Sequence, residues 1–483
     1  MSYATFSLQA FSQGEEMPIT MSHSDSQETI TSYKDALIKA PLLVSQTAVV
    51  GVAFNHFVFS KVFPNRIRIE PNKPSEIMQK DTGTARRVFL IIILSVMVLI
   101  ASSSGLFLLE VYNLSTELGL SFSDTFSIVL DTSVGPVWLL RIITSILIFI
   151  LAVIYYILVK RTITSKKEKI DIESRDKVSR IILLAILSLG AVNILSNSIV
   201  SHNAAASFFP DIAISADWLH VMAVSIWLGG LFYISSILLY VIRLSSNREY
   251  GTSGKEELVA RNCYSLAVML PYFSIIAIIC LGVIGISGLY MAWLHLQSLG
   301  SLFDSMYGNI LIVKLCVIVP MILLGGYHQI KLHLVMVQIA QKENMSQKQF
   351  EILPVAGKRN SKIVQNSKEY FDPFKRFSKT IKIELIIGIV VLVVSAFLTI
   401  TSPPSVAMSD SQMQMQELTS GNADNSVGGE DQRNPRTIDG FATMSLILAV
   451  IVLIMSLYYY RKSKQELKIT GDLLRKSGSS AVT

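Results

Sequence analysis

Asp217 and His220 are the residues whose types and spacing most directly suggest chemistry. They lie three positions apart in a predicted helix, and Trp227 follows seven positions after His220, so that all three share one helical face. A carboxylate beside an imidazole can orient the ring of a metal ligand, or can itself become a ligand. The alternative is a structural pair that holds helices together.

Three further groups could join this pair. His202 lies in the short segment before the same helix, and His295 lies at the end of the next helix. Gly288, Met291 and His295 share one side of that next helix, and small residues on such a face let a neighbouring backbone approach closely. Imidazole with thioether suits copper, and imidazole with carboxylate suits several divalent ions. We therefore predict a metal site formed by these groups with the aspartate and histidine above, although each histidine alone is more typical of packing.

A cluster of methionines favours copper among these metals. Met408, Met413 and Met415 lie in a polar segment that offers no apolar core for them to fill. Thioether sulfur is soft and uncharged, so it selects Cu(I) over hard cations. Methionines in an amphipathic helix would instead be packing residues, and that alternative stays open.

The chain that carries these residues is too apolar for a soluble enzyme. Of its 483 residues, 51% are hydrophobic and only 16% are charged, whereas soluble proteins carry about 25% charged residues. Apolar stretches long enough to cross a hydrocarbon core about 30 Å thick predict about nine helices. The predicted spans are 36–60, 88–110, 136–159, 181–200, 212–241, 265–296, 308–330, 383–401 and 440–460. The expected fold is an all-α, polytopic transmembrane helix bundle.

Lysine and arginine predict the orientation of this bundle, because they are retained on the cytoplasmic side of a membrane. Most of the 42 lysines and arginines follow the odd-numbered spans. This alternation predicts an outer N-terminus and an inner C-terminus in the cytoplasmic membrane. It also accounts for the net charge of +7 without a nucleic-acid partner.

The same pattern predicts how the chain is divided. An outer polar tail is expected at 1–35, followed by an eight-helix membrane domain at 36–401 with an inner loop at about 331–379. A disordered outer linker that contains the methionines follows at 402–438. The chain then continues with a ninth helix at 439–460 and a basic cytoplasmic tail at 461–483.

Other ionisable groups fall within or beside the predicted spans, where they are costly unless they are paired or serve a site. His56 and His328 lie near the inner side and are candidate ligands there. Lys314 is expected to neutralise Asp217 or to assist a gate. Arg141 is expected to extend its charge to the membrane interface.

Several short motifs also follow one another in a defined order along the chain. SHNAAA at 201–206 and DWLH at 217–220 are followed by WLGGL at 227–231. The others are TSVGPVWLLR at 132–141, FS at 273–274, SG at 287–288, YG at 307–308 with Lys314, and Glu384 before the prolines at 403–404. Over roughly residues 36–404, this order and spacing resemble the CopD copper-resistance family of inner-membrane proteins.

The resemblance implies copper uptake or copper handling across the cytoplasmic membrane, often with a CopC-type periplasmic copper carrier. The outer tail is too short for a fused CopC-like β-sandwich, while the ninth helix and the methionine linker are additions. Trp227, Lys314, Arg141 and Glu384 are expected to have structural or gating roles.

We therefore expect a copper importer or copper-tolerance protein rather than an enzyme. The methionines would collect the ion, the His/Asp site would hold it, and passage would lead towards His328 or His56. The sequence contains no P-loop fingerprint, so the membrane potential or cytosolic capture is the expected drive. Two alternatives remain: a b-type cytochrome with haem on His220 and His295, and a non-transporting subunit or sensor that docks a copper carrier.

Overall fold

A computed structural model describes residues 25–62, 74–164, 172–201, 210–246, 252–296, 300–327 and 367–404, together with positions 454, 458 and 461. Every regular element within these segments is helical. The helices are α1 (Asp25–Val62), α2 (Pro74–Leu118), α3 (Phe122–Asp131), α4 (Gly135–Thr164), α5 (Ile172–Ile199), α6 (Pro210–Ser246), α7 (Thr252–His295), α8 (Ser301–Asp304), α9 (Met306–Tyr327) and α10 (Ser367–Ile400). The predicted all-α bundle is confirmed.

Eight of the described helices are long and apolar enough to cross a membrane. Their spanning segments are Tyr33–Phe59, Arg87–Leu118, Gly135–Leu158, Lys177–Ile199, Pro210–Ser236, Tyr272–His295, Met306–Tyr327 and Arg376–Ile400. These segments overlap the first eight predicted spans, and they identify a multi-pass membrane protein. The predicted ninth span lies outside the described residues, apart from isolated positions. The inside–outside orientation stays a prediction of the charge pattern.

Helix α1 is the centre of the described bundle, because it packs against α2, α5, α6 and α10. Its span carries small and polar residues among its apolar ones, including Ala48, Gly51 and Ala53, all of which are buried. Small residues allow close contacts between membrane helices, for which the hydrophobic effect supplies little drive. The composition of α1 thus suits a helix surrounded by protein.

One glycine pair brings α1 and α6 into backbone contact. A Cβ atom on Gly51 would overlap the carbonyl oxygen of Ser225 and would lie 2.5 Å from the Cα of Gly229. Likewise, a Cβ on Gly229 would overlap the Cα of Gly51. No larger residue fits at this crossing, which holds α6, the helix of Asp217 and His220, against the central helix.

A buried polar network joins α1, α4 and α5. Asn193 Nδ2 donates to the Arg141 carbonyl at 2.9 Å and to Thr144 Oγ1 at 2.8 Å, while Gln46 Nε2 donates to Asn193 Oδ1 at 2.7 Å. Asn197 Nδ2 in turn donates to Gln46 Oε1 at 2.6 Å. Because these amides bond one another across three spans, the network holds the helices in one register.

The position of Arg141 differs from the expected extension to the membrane interface. Its side chain is only 5% exposed. Arg141 Nε donates to Ser196 Oγ and Nη2 donates to the Ser196 carbonyl, both at 3.1 Å, and the guanidinium lies 4.5 Å from the centre of the Trp138 ring. Acceptors on α5 and an aromatic face on its own helix therefore hold this charge inside the bundle.

Candidate functional site

His220 lies at the interface of α6 and α7. Its Nδ1 is 3.0 Å from the Oγ of Ser287. A Cβ atom on Gly288 would lie 3.3 Å from His220 Cε1, so the imidazole packs directly on the glycine backbone. The close approach expected from this small residue is therefore present, and it brings α6 and α7 together at the predicted position.

Asp217 lies one turn before His220 and faces polar groups from three other helices. Ser198 and Ser201 lie near it at and just after the end of α5, and its charge interacts with Lys39 of α1 and Lys314 of α9. Lys314 thus lies where it can offset the charge of Asp217. Asp217 is therefore influenced by charged or polar residues from α1, from α9 and from the end of α5.

His295 is connected to the same region by its contact with Tyr307. The His295 side chain is only 4% exposed, and its ring lies 5.9 Å from the Tyr307 ring in an edge-on arrangement. Tyr307, at the start of α9, also interacts electrostatically with Asp217. We did not predict Tyr307 as a site residue; its only signal in the sequence was the Tyr-Gly pair shortly before Lys314.

Charged residues of both signs are concentrated at this end of the bundle, which we call the His220 end. Lys314 interacts with His220 as well as with Asp217. Lys39 interacts with four other charged residues from α1, α2, α4 and α6, which are Asp35, Glu110, Arg141 and Asp217. Ionisable groups within a membrane are rare and mark ion pathways or relays, so this end is the candidate functional site.

The structure brings together only part of the predicted metal site. His220, Asp217 and His295 lie at the His220 end, and Met291 lies on α7 between Gly288 and His295. In the described segments, no group of three or more His, Cys, Asp or Glu side chains could hold a metal ion. His202 and the methionines at 408, 413 and 415 lie outside the described residues, so their part in the site stays a prediction.

The remaining predicted residues lie elsewhere in the bundle. His56 is buried near the other end of α1, where its Nδ1 lies 3.3 Å from the Tyr233 hydroxyl. Trp227 packs against the main apolar core. Glu384 is 2% exposed, and its Oε1 would lie 3.4 Å from a Cβ on Gly325, so it sits between α9 and α10. The other inner candidate, at position 328, lies outside the described residues.

Comparison with known proteins finds a similarity to one family over part of this bundle. The chain matches no curated protein and no solved structure. Residues 267–398 match the family model described as Copper resistance protein D. This stretch includes His295, Tyr307, Lys314 and Glu384, whereas Asp217 and His220 precede it. The resemblance to the CopD family is therefore confirmed over residues 267–398 of this chain.

Proposed function

We propose that the protein takes up copper, or confers copper tolerance, by binding copper ions at the His220 end of the bundle. His220 supplies the first imidazole. His295 and Asp217 would have to move closer to complete the site with His202, because the side chains in the described segments do not form a group of three ligands. The match to the copper resistance protein D family supports copper as the ion. The observation that carries the location is the half-buried imidazole of His220, which lies 3.0 Å from Ser287 Oγ through one ring nitrogen, near charged residues.

A cation bound at this end of the bundle would act on two charges of opposite sign. Asp217 provides the negative charge nearest to His220 along the chain, and Lys314 interacts with both residues. A copper ion on His220 would repel the ammonium of Lys314 and would attract the carboxylate of Asp217. Binding would thus favour movement or deprotonation of Lys314, which is the gating role proposed for it.

Copper must also be delivered to this site and pass from it to the inner side of the membrane. Met408, Met413 and Met415 collect Cu(I) on the outer side, or a CopC-type carrier donates it, and the ion moves between α6, α7 and α9 towards His56 or His328. A monovalent cation that moves inward across the cytoplasmic membrane gains about 2.3 kcal/mol per 100 mV. The membrane potential is then sufficient as a drive.

The test is copper binding by the purified full-length protein. We expect His220→Ala to lose most of the bound Cu(I), because it removes a direct ligand. Ser395→Ala is the paired variant, since Ser395 Oγ bonds the Val391 carbonyl of its own helix and has no part in the proposed site. It should leave the copper stoichiometry unchanged. Undiminished copper stoichiometry in His220→Ala would contradict the proposal.

Two measurements on the same preparation separate the alternatives. A Soret band in the absorption spectrum would favour a cytochrome with haem on His220 and His295. Copper uptake into vesicles separates a transporter from a sensor or docking subunit, because the latter moves no ion. We expect uptake in vesicles and no haem absorption.

A further inference from the structure

The contacts around His220 point to a specific role for Ser287, which belongs to the Ser-Gly motif at 287–288 but for which the sequence predicted no role; this inference rests on the proposed function. Ser287 lies on α7 beside Gly288. Its Oγ is 3.0 Å from His220 Nδ1 and 2.6 Å from the backbone carbonyl oxygen of Val283, one turn earlier on the same helix.

The direction of these hydrogen bonds follows from counting hydrogens. A serine hydroxyl carries one hydrogen, and a carbonyl oxygen can only accept, so the hydroxyl of Ser287 donates to Val283. Towards His220 the Ser287 oxygen is then an acceptor, and Nδ1 must carry the hydrogen.

This assignment determines which nitrogen is free for a ligand. Only one nitrogen of a neutral imidazole carries hydrogen, so a hydrogen on Nδ1 leaves the lone pair on Nε2. The ring faces Gly288, where an added Cβ would lie 3.3 Å from Cε1. Two adjacent residues of α7 therefore determine both the tautomer and the orientation of His220.

We propose that Ser287 is a positioning residue that holds His220 as the Nδ1–H tautomer and so presents Nε2 to the copper ion. Ser287 acts through His220 and does not touch the ion. Imidazole ligands commonly donate their second nitrogen to an oxygen acceptor, and loss of that acceptor lowers metal affinity about 10–100-fold.

Three variants of the full-length protein test this role. Ser287→Ala removes the acceptor, and we expect it to weaken Cu(I) binding about 10–100-fold, measured against a competing Cu(I) chelator. Ser287→Thr keeps a hydroxyl that can bond the carbonyl one turn earlier, and it should restore the affinity. Ser395→Ala is the matched control, because Ser395 Oγ bonds the Val391 carbonyl of its own helix, at 2.8 Å. Its affinity should equal that of the wild type.

A spectroscopic readout separates positioning from a merely structural role. Nitrogen-15 NMR of histidine-labelled, copper-free protein distinguishes the two tautomers, and His220→Ala identifies the His220 signals. We expect Nδ1–H in the wild type and in Ser287→Thr, and a loss of this preference in Ser287→Ala. Nε2–H in the wild type would overturn the proposal even if Ser287→Ala failed to fold.

The two readouts also distinguish this inference from the proposed function. A wild-type protein that shows Nδ1–H but binds no Cu(I) would refute the copper site and leave the tautomer assignment standing. A protein that binds Cu(I) through His220 while it holds Nε2–H would preserve the copper site and refute the role of Ser287. Unchanged affinity and tautomer in Ser287→Ala would refute that role as well.

Discussion

The glycine contact between α1 and α6 allows a direct test of how the bundle positions its polar residues. In Gly51→Ala, the new methyl group would overlap the Ser225 carbonyl oxygen and lie 2.5 Å from the Gly229 Cα. Carbon atoms pack at about 3.5–4.0 Å, so the helices would have to separate by about 1 Å. The methyl group meets backbone atoms, which cannot rotate away as the end of a side chain can.

The expected loss of stability follows from these distances. Overpacking a tight contact costs about 1–3 kcal/mol, and rigid backbone neighbours place Gly51→Ala near the upper value. Alanine recovers about 1 kcal/mol through its better helix propensity. We therefore expect a net loss of about 2 kcal/mol in the free energy of unfolding. Copper binding should weaken too, because α6 carries Asp217 and His220.

The assay compares the stability of Gly51→Ala with that of a second single alanine variant. Gly105→Ala is the matched control, since a Cβ there would meet its nearest atom, Ile38 Cγ2, at 3.6 Å, an ordinary contact. It should be neutral, or more stable by up to about 1 kcal/mol. The free energy of unfolding is measured by adding sodium dodecyl sulfate to the purified protein in mixed micelles.

One result would refute this reasoning. If Gly51→Ala and Gly105→Ala unfolded at the same detergent fraction and bound copper equally well, the two helices would not be in backbone contact. The close crossing could then not be what holds α6, the helix of Asp217 and His220, against α1.

Two further substitutions test the polar network of α1, α4 and α5 by the same detergent titration. Arg141→Lys keeps the charge but removes the paired donors to Ser196, and a loss of about 1–3 kcal/mol is expected. Wild-type stability would mean that one ammonium satisfies the same acceptors. Asn193→Leu removes the acceptor of Gln46 and the donor to Thr144. Interhelical hydrogen bonds in membranes contribute about 0.6 kcal/mol on average and up to about 1.7, so a loss of about 1–2 kcal/mol is expected, and a gain in stability would contradict a structural role.

The spans were predictable because the bilayer requires a property that each segment of the sequence either has or lacks on its own. Every backbone group in hydrocarbon must be bonded within its own segment, so each span must be a long apolar helix. The predicted span 308–330 overlaps the observed Met306–Tyr327 for this reason. The short helix α3 was not predicted. It begins at Phe122 after Ser121, whose Oγ accepts from the Asp124 N–H at 3.3 Å, and such local capping carries little hydropathy signal.

The candidate site was predictable only in part. Helical periodicity placed Asp217 and His220 on one face, and the small residue Gly288 indicated where a neighbouring helix could approach. Periodicity does not tell which side chains of that neighbour will bond, so Ser287 and Tyr307 were missed. The hydrogen bonds that hold Arg141 inside the bundle were not predicted either, since a lysine or arginine near a span end usually reaches the interface.

The sequence by itself determined the membrane class, the positions of the eight described spans and the residue types of the predicted metal site. These properties follow from consecutive residues alone, because the hydrocarbon core of a bilayer imposes the same requirement on every segment that crosses it. The tertiary structure decided that His220 meets Ser287, 67 positions away, and that Arg141 stays inside the bundle. Such contacts depend on where helices cross, and that is set by steric fit between distant segments, as at Gly51 and Gly229.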